Sequence, residues 1–171
     1  MSKIQMPLKA LNEEEYKQFI SDSFSSLISD EVSASILYLI VSNFLGVSLG
    51  KVLKEHSVQE HGHASKLIDY AINHGIVFDI SLEGNENIDY SVQGLLQYVE
   101  KLEEDAIEDY KTMSLVANKY GDVELYELMK DIMMDETEHY DELAIYIEKV
   151  RKVGYVKVSD TEVMITDDTE K

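Results

Sequence analysis

Four long segments of the chain carry hydrophobic residues at alternating intervals of three and four positions. They cover about 12–43, 48–73, 91–119 and 122–154. This spacing gives each segment one apolar stripe along an α-helix, as in helices that pack side by side in a left-handed bundle. Pro7 is the only proline, so no later proline interrupts a helix. The pattern predicts an all-α fold with four long helices.

The chain also carries signals for the ends of these helices and for their connection. Asn12 and Glu15 have the spacing of a capping box at the start of the first helix. The stretch "IVFDISLEGNENIDY" between the second and third helices is long enough to cross the length of a bundle. We therefore predict an N-terminal arm over 1–11, a four-helix bundle over 12–154 and an acidic C-terminal tail over 155–171 that lies outside the bundle.

Composition narrows the classes of function. The formal net charge of −19 argues against nucleic-acid binding, which requires a basic surface. It fits either a protein that attracts cations or a soluble acidic surface. The absence of cysteine excludes disulfides and thiolate metal sites. The N-terminus lacks an apolar signal segment, and polar residues interrupt the longest apolar run, 34–49, so we predict a cytoplasmic protein without a membrane span.

Each predicted stripe carries a carboxylate near its middle, and two stripes carry a histidine three residues later. These pairs stand in "EHGH" and "ETEH", and the spacing puts both members on one helix face. A buried carboxylate must be protonated, ion-paired or bound to metal, and the stripes offer no Lys or Arg for pairing. Carboxylates and imidazoles in this number suit two iron or manganese ions. The predicted ligands are Glu31, Glu60, His63, Glu103, Glu136 and His139.

Other residues near the predicted ligands have more than one possible role. His56 lies on the core stripe one turn before Glu60, either as a hydrogen-bonded core residue, as a donor that supports a ligand, or at a nearby iron site. Tyrosines that either pack or bond ligand carboxylates recur on the stripes at Tyr38, Tyr70, Tyr110 and Tyr146. Residues that either hold iron in transit or form a solvated face are Gln59, Asp135 and Glu138.

At these residues the chain resembles the ferritin and bacterioferritin family of ferritin-like proteins, over about 12–154. "EVSASILYL" and "EHGHASKLIDY" resemble the family's first two ligand stretches, and "ETEHYDEL" is most similar to the bacterioferritin version, in which the last helix also supplies a His. The resemblance implies a ferroxidase that binds two iron ions per chain and oxidises Fe(II) with dioxygen or peroxide, for iron storage or detoxification. It also implies a homo-oligomer, with a closed cage as one form.

The chain departs from this family at three points. Glu60 follows Glu31 by 29 residues, about one helical turn less than expected of a ferritin. The family's short fifth helix is not evident. His61 stands where a bacterioferritin has its haem-binding Met, but as the neighbour of Glu60 it is predicted to face away from the core, so no haem is expected.

The same residues are also compatible with two other functions. The first is a di-iron oxidase, oxygenase or peroxidase that acts on a small substrate without storing mineral. The absence of a rubredoxin-like cysteine set argues against a complete rubrerythrin. The second is a non-enzymatic bundle that keeps the site for stability or binds Mn or Zn.

Overall fold

The computed structural model describes residues 4–82, 88–153, 156–159 and 162–164. Within these residues the chain forms a bundle of four α-helices, which confirms the predicted all-α architecture. The helices are α1 (Glu13–Ser42), α2 (Gly46–His74), α3 (Val92–Tyr120) and α4 (Val123–Val153). α1 packs against α2 and α3 against α4, as two helical hairpins joined by the long connection between α2 and α3.

The helix ends follow from local side-chain chemistry. The Asn12 side chain accepts a hydrogen bond from the Glu15 amide at 2.9 Å, and the Glu15 side chain accepts one from the Asn12 amide at 3.0 Å, so the predicted capping box is formed. Asp122 accepts a hydrogen bond from the Leu125 amide at 3.1 Å and caps α4. Gly121, at the end of α3, has a φ of 75°, a conformation that favours glycine.

The link between α1 and α2 is shorter than predicted. α2 begins at Gly46, two residues before the predicted start, so only three residues separate the helices. A Cβ on Gly50 would collide with the Ser42 carbonyl oxygen, so the missing side chain lets α2 come close to the end of α1. This close approach fits the short interval between Glu31 and Glu60.

Three serines on successive turns of α1 hold the start of the long connection. Ser21 donates a hydrogen bond to the Val77 carbonyl oxygen. Farther along α1, the hydroxyl of Ser25 accepts from the Asp79 amide at 3.0 Å, and that of Ser29 accepts from the Ser81 amide at 2.9 Å. The connection therefore leaves the end of α2 and runs beside α1.

The hydrophobic core has two parts, separated by a polar layer at mid-bundle. One part is built around Phe24, Leu67, Met113 and Met129. The other is built around Val41, Leu53, Val99 and Leu143. Because apolar side chains close both ends, the polar side chains between them have little access to water, which makes every charge there costly unless it is compensated.

The predicted stripes lie in this core, except near the end of α4. There Ile147 is buried, at 4% exposure, whereas Tyr146 is half-buried and packs at the edge. A straight α-helix has 3.6 residues per turn, so a strict 3.5-residue repeat drifts out of register along a long helix. The repeat of three and four residues also predicts Val150 as a core residue of α4, and its side chain lies outside the described residues.

α1 is apolar on a second face as well. It is the one helix in the described part of the chain that is long and apolar enough to cross a membrane, although 44% of its apolar stretch is buried in the bundle. Large apolar side chains on its outer face and in the link that follows it are about half exposed: Ile36, Leu39, Ile40 and Phe44. The burial of one face and the carboxylate of Glu31 on it identify α1 as a bundle helix with an additional apolar surface.

A short hairpin follows the bundle. β1 (Val156–Ser159) and β2 (Glu162–Met164) pair antiparallel, and β2 lies beside α2. From the sequence we predicted only that this stretch lies outside the bundle, although alternating residues of this kind are a signal for a strand. The rest of the predicted acidic tail, and residues 1–3 of the predicted arm, lie outside the described residues.

Candidate metal centre

The six predicted ligands come together in the polar layer at mid-bundle. Each is buried, with an exposure of 4% or less. They come from all four helices: Glu31 from α1, Glu60 and His63 from α2, Glu103 from α3, and Glu136 and His139 from α4. The i, i+3 spacing on α2 and α4 puts a carboxylate and an imidazole on the same inward face of each helix.

His63 is the centre of the first group. Its Nδ1 lies 2.8 Å from Glu136 Oε1, 3.4 Å from Glu60 Oε2 and 3.5 Å from Glu31 Oε2. One imidazole nitrogen and three carboxylates from α1, α2 and α4 thus surround one point, with ligand atoms all within 4.8 Å of one another.

His139 is the centre of the second group. Its Nδ1 lies 3.0 Å from Glu60 Oε1, 3.6 Å from Glu136 Oε2 and 3.8 Å from Glu103 Oε1. Glu60 and Glu136 therefore belong to both groups and present a different oxygen to each histidine. This is the arrangement that a carboxylate needs to bridge two metal ions.

The ligand atoms have unmet bonding capacity. Among the described buried side chains, Nδ1 of both histidines and one oxygen each of Glu31, Glu60 and Glu136 lack a hydrogen-bond partner. These atoms are close together, but their directions do not form hydrogen bonds with one another. Buried polar atoms that converge without pairing fit a bound cation. The oxygen and nitrogen donors suit iron or manganese, and four carboxylates balance the charge of two divalent ions.

The outer nitrogen of each histidine is held by a residue that flanks the ligands. His63 Nε2 lies 3.1 Å from Asp135 Oδ2, and His139 Nε2 lies 3.1 Å from Gln59 Oε1. A proton on Nε2 donates to these oxygens and leaves the Nδ1 lone pair for a metal ion. Of the three flanking residues singled out in the sequence, Gln59 and Asp135 thus orient the ligands, whereas Glu138 is exposed.

Two tyrosines hold Glu31 and Glu103, the two carboxylates that belong to one group each. Tyr110 on α3 donates a hydrogen bond to Glu31 on α1, and Tyr38 on α1 donates one to Glu103 on α3 at 2.5 Å. Of the two roles that the sequence left open, packing or bonding to a predicted ligand carboxylate, Tyr38 and Tyr110 therefore have the second. Tyr70, by contrast, bonds Asp122 at 3.2 Å and has no contact with a ligand carboxylate.

The four carboxylates differ in their electrostatics. Burial, and then repulsion from neighbouring carboxylates, raises the pKa of Glu31 and of Glu103. Burial also acts on Glu60 and Glu136, but the two imidazoles that face their carboxylates outweigh it and lower the pKa of both. Without metal, the site is therefore neutralised in part by protons on its own carboxylates and imidazoles.

The pKa values of the two imidazoles shift in the opposite direction to those of Glu60 and Glu136. Burial alone would lower the pKa of each histidine, but the carboxylates that face its Nδ1 outweigh burial. The pKa of His139 is raised to about 9, and that of His63 is raised as well. Since a ligand histidine must be neutral, a metal ion has to displace these protons when it binds.

His56 is buried beside the centre, and His61 is exposed as predicted. The ring of His56 stacks on that of His139 with centroids 4.2 Å apart. Its Nε2 lies 3.1 Å from Glu142 Oε2. Burial, and then the nearby His139, lowers the pKa of His56. His56 is thus a hydrogen-bonded core histidine in contact with a predicted ligand.

A small cavity of about 20 Å³ adjoins the ligands on the side of α1 and α3. This volume holds about one water molecule. Neither histidine lines it. Its walls are Leu27, Asp30, Glu31, Ala34, Tyr38, Glu60, Leu102, Glu103, Ala106, Asp109, Tyr110 and Glu136. The cavity therefore provides a water-sized space in contact with all four carboxylates of the candidate centre.

Comparison with known proteins shows the family of this chain. The family description of the ferritin-like domain (Ferritin) matches residues 22–153. The chain belongs to the ferritin-like family. It is 26% identical to a bacterioferritin of Brucella melitensis biotype 1 over 133 residues, which cover 78% of this chain and 83% of that relative. The predicted membership of the ferritin-like superfamily is confirmed.

A solved structure shares the fold of this ferritin-like protein. It is a crystal structure of a PmFTN variant soaked overnight in iron, and it superposes with a TM-score of 0.70 at 16% identity. The match covers 80% of this chain and 90% of that chain. At this identity the likeness concerns the fold alone.

Proposed function

We propose that this ferritin-like protein is a ferroxidase that binds two Fe(II) ions per chain and oxidises them to Fe(III), for iron storage or detoxification. The observation that carries the proposal is the double contact of Glu60 and Glu136, each with one oxygen toward each histidine. Carboxylates that bridge hold two ions close together, as a two-electron oxidation by paired metal ions requires. Membership of the family supports iron as the metal.

In this proposal iron is the substrate. Each Fe(II) gives one electron, and the two electrons with two protons convert dioxygen to hydrogen peroxide, or peroxide to water. The protein holds both ions in a centre with four carboxylates, whose negative charge favours Fe(III) over Fe(II). The imidazoles complete the ligand set from α2 and α4, which leaves the side facing α1 and α3 for the oxidant.

The size of the cavity supports a small oxidant. Its volume of about 20 Å³ is far below the roughly 300–1,000 Å³ of pockets that hold organic ligands. A molecule of the size of dioxygen or peroxide is therefore the reactant that suits the space beside Glu31 and Glu103.

Storage requires many copies of the chain around a cavity. We propose a closed, symmetric homo-oligomer in the cytoplasm, since a chain of this size cannot enclose a mineral alone. The outer face of α1 and the link that follows it support assembly, because large apolar side chains there are 47–51% exposed: Ile36, Leu39, Ile40 and Phe44.

One observation favours the alternative, a di-iron oxidase, oxygenase or peroxidase that acts on a small apolar substrate. An open apolar groove of about 450 Å³ lies between α1, the long connection and α3. Ala34 and Leu102 line both this groove and the small cavity beside the ligands. An apolar substrate in the groove would thus be one layer of side chains away from the centre.

Aerobic loading of the native particle with Fe(II) tests the proposal. We expect a particle larger than a dimer that oxidises Fe(II) and retains many iron ions per chain, and a Glu60→Ala variant that oxidises Fe(II) far more slowly. A particle no larger than a dimer that oxidises Fe(II) without retaining iron would favour the alternative. A protein that binds metal but oxidises nothing would favour a non-enzymatic bundle.

A further inference from the structure

Two spaces of different chemistry adjoin each other on the side of the bundle formed by α1 and α3. The small cavity of about 20 Å³ is lined by all four carboxylates of the candidate centre. The groove of about 450 Å³ reaches the surface, since half-exposed side chains such as Ile36 and Ile40 line it. None of the described residues that line the groove is charged, and all of them except Ser33 are aliphatic or aromatic. An apolar space open to the surface thus lies beside a buried polar one.

Ala34 and Leu102 line both spaces and form the wall between them. Both residues are buried, with exposures of 8% and 5%. Ala34 follows Glu31 by three residues on α1, and Leu102 directly precedes Glu103 on α3. The wall therefore stands beside the two carboxylates that belong to one group each. Because alanine contributes only a methyl group, the wall is a single layer of apolar side chains.

Dioxygen is the reactant whose chemistry suits this wall. It is uncharged and forms no strong hydrogen bonds, so it loses little favourable interaction when it leaves water for an apolar space. Fe(II) is charged and strongly hydrated, and hydrogen peroxide is hydrogen-bonded to water, so both lose much more in such a space. Dioxygen is also small enough to pass between apolar side chains as these side chains move.

We propose that dioxygen enters through the apolar groove and crosses the wall of Ala34 and Leu102 to reach the centre. The inference rests on the proposed ferroxidase function and specifies the oxidant that uses this side of the bundle. Ala34 and Leu102 determine specificity, because they admit an apolar gas and exclude ions and hydrogen-bonding molecules. Fe(II) and peroxide therefore reach the carboxylates by a different route, and dioxygen arrives beside Glu31 and Glu103.

Crystals of the native particle under xenon pressure test the route without any reaction. Xenon is an apolar atom that binds in apolar cavities, and we expect it in the groove of the wild-type protein. Leu102→Ala removes the larger side chain of the wall, so xenon should then also bind between the groove and the small cavity. The whole particle is needed because Ile36, Ile40 and Phe44 line the groove and also belong to the proposed assembly surface. A groove without xenon, as expected if another copy of the chain fills it, would overturn the route.

Stopped-flow oxidation of Fe(II) at a series of dioxygen concentrations tests whether the oxidant uses the groove. Leu37 lines the groove but not the small cavity, so Leu37→Trp should narrow the entrance and leave the ligands in place. We expect kcat/KM for dioxygen to fall several-fold, while kcat at saturating dioxygen and the anaerobic rate with hydrogen peroxide stay unchanged. Leu102→Ala should raise kcat/KM for dioxygen. The matched control is Leu128→Trp, at a half-buried leucine of α4 that lines neither space.

The outcomes separate this inference from the function on which it rests. Unchanged kinetics with dioxygen in both Leu37→Trp and Leu102→Ala would overturn the route and leave the ferroxidase proposal intact. Equal losses with dioxygen and with peroxide in Leu37→Trp would contradict the selective entry of dioxygen. A wild-type protein that uses peroxide but not dioxygen would also overturn the route alone. A wild-type protein that oxidises Fe(II) with neither oxidant would overturn the ferroxidase function and the route together.

Discussion

The hydroxyl of Tyr38 on α1 donates a hydrogen bond of 2.5 Å to Glu103 on α3. Tyr110 on α3 makes the corresponding contact to Glu31 on α1. Each tyrosine stands seven residues after a predicted ligand on its own helix, two helical turns away, and bonds the ligand of the other helix. Glu31 and Glu103, which belong to one group each, are therefore fixed across the seam between α1 and α3, beside the proposed position of the oxidant.

Removal of one of these hydroxyl groups should affect both stability and activity. In Tyr38→Phe, Glu103 loses a buried donor, so we expect the metal-free protein to lose about 1–3 kcal/mol of unfolding free energy. The rate of Fe(II) oxidation should fall about tenfold, because the ligand is less well oriented. Urea unfolding and stopped-flow oxidation measure the two effects. Tyr146→Phe, at the edge of the core, is the matched control, and an equal loss in both variants would contradict this role for Tyr38.

Two adjacent glutamates on α3 should behave differently. Glu103 is buried at 1% exposure, whereas the side chain of Glu104 is 48% exposed and lies 3.4 Å from the exposed Lys101. Glu103→Ala should abolish fast oxidation of Fe(II), and Glu104→Ala should leave it nearly unchanged. Initial rates of oxidation decide the point. The reverse result would mean that the inward face of α3 is wrongly assigned.

Periodicity alone identified the six predicted ligands, because a charge in the middle of an apolar stripe is conspicuous in the sequence. It could not identify the partners of these residues. Asp135 lies 72 positions from His63, and Gln59 lies 80 positions from His139. Such contacts depend on how α2 and α4 are rotated and shifted relative to each other, which the pattern within one helix does not contain.

The same limit explains the local differences between sequence and structure. The repeat of three and four residues does not indicate that Ile147 rather than Tyr146 is the buried residue. Both lie near the stripe, because the helix drifts from a 3.5-residue period. The short link between α1 and α2 depends on Gly50, whose missing side chain matters only because the end of α1 lies against it. In both cases the outcome depends on how the helices pack against each other, which the sequence pattern of a single helix does not contain.

The contact between His63 and Asp135 should matter for metal affinity. Asp135 Oδ2 lies 3.1 Å from Nε2 of His63 and keeps the Nδ1 lone pair directed at the centre. Asp135→Ala should therefore weaken metal binding by about 10- to 100-fold without removing a ligand. Calorimetric titration with Co(II) measures this affinity. Asp131→Ala, an exposed aspartate about one turn earlier on α4, provides the control, and equal affinities in the two variants would exclude the orienting role.

The metal-free protein should lose stability as the pH rises from 6.5 to 9. The pKa of His139 is raised from 6.5 to about 9 in the folded state, so the folded protein binds more protons than the unfolded chain in this window. Protonated His139 contributes about 3 kcal/mol to the free energy of unfolding. This contribution is complete below pH 6.5 and is lost as the pH rises through 9. The raised pKa values of Glu31 and Glu103 act in the same direction, starting from lower pH.

Urea unfolding with a chelator, at fixed protein concentration, measures this dependence. Glu60 and Glu136, whose pKa values are lowered, are ionised in both states across the window and do not change the slope. A His139→Gln variant should show a flatter decline than the wild-type protein. A wild-type stability that stays constant or rises between pH 6.5 and 9 would contradict the proposed charge balance.

Anaerobic titration with Fe(II) tests the central claim most directly, since it counts the ions in the centre before any oxidation. We predict two Fe(II) ions per chain in the wild-type protein. Because Glu60 contacts both groups, Glu60→Ala should weaken the binding of both Fe(II) ions rather than abolish the binding of one. The Glu104→Ala variant loses only the exposed carboxylate next to Glu103, so it should still bind two Fe(II) ions. A wild-type protein that binds a single Fe(II) per chain, or a Glu60→Ala variant that binds two with unchanged affinity, would contradict the two-metal centre.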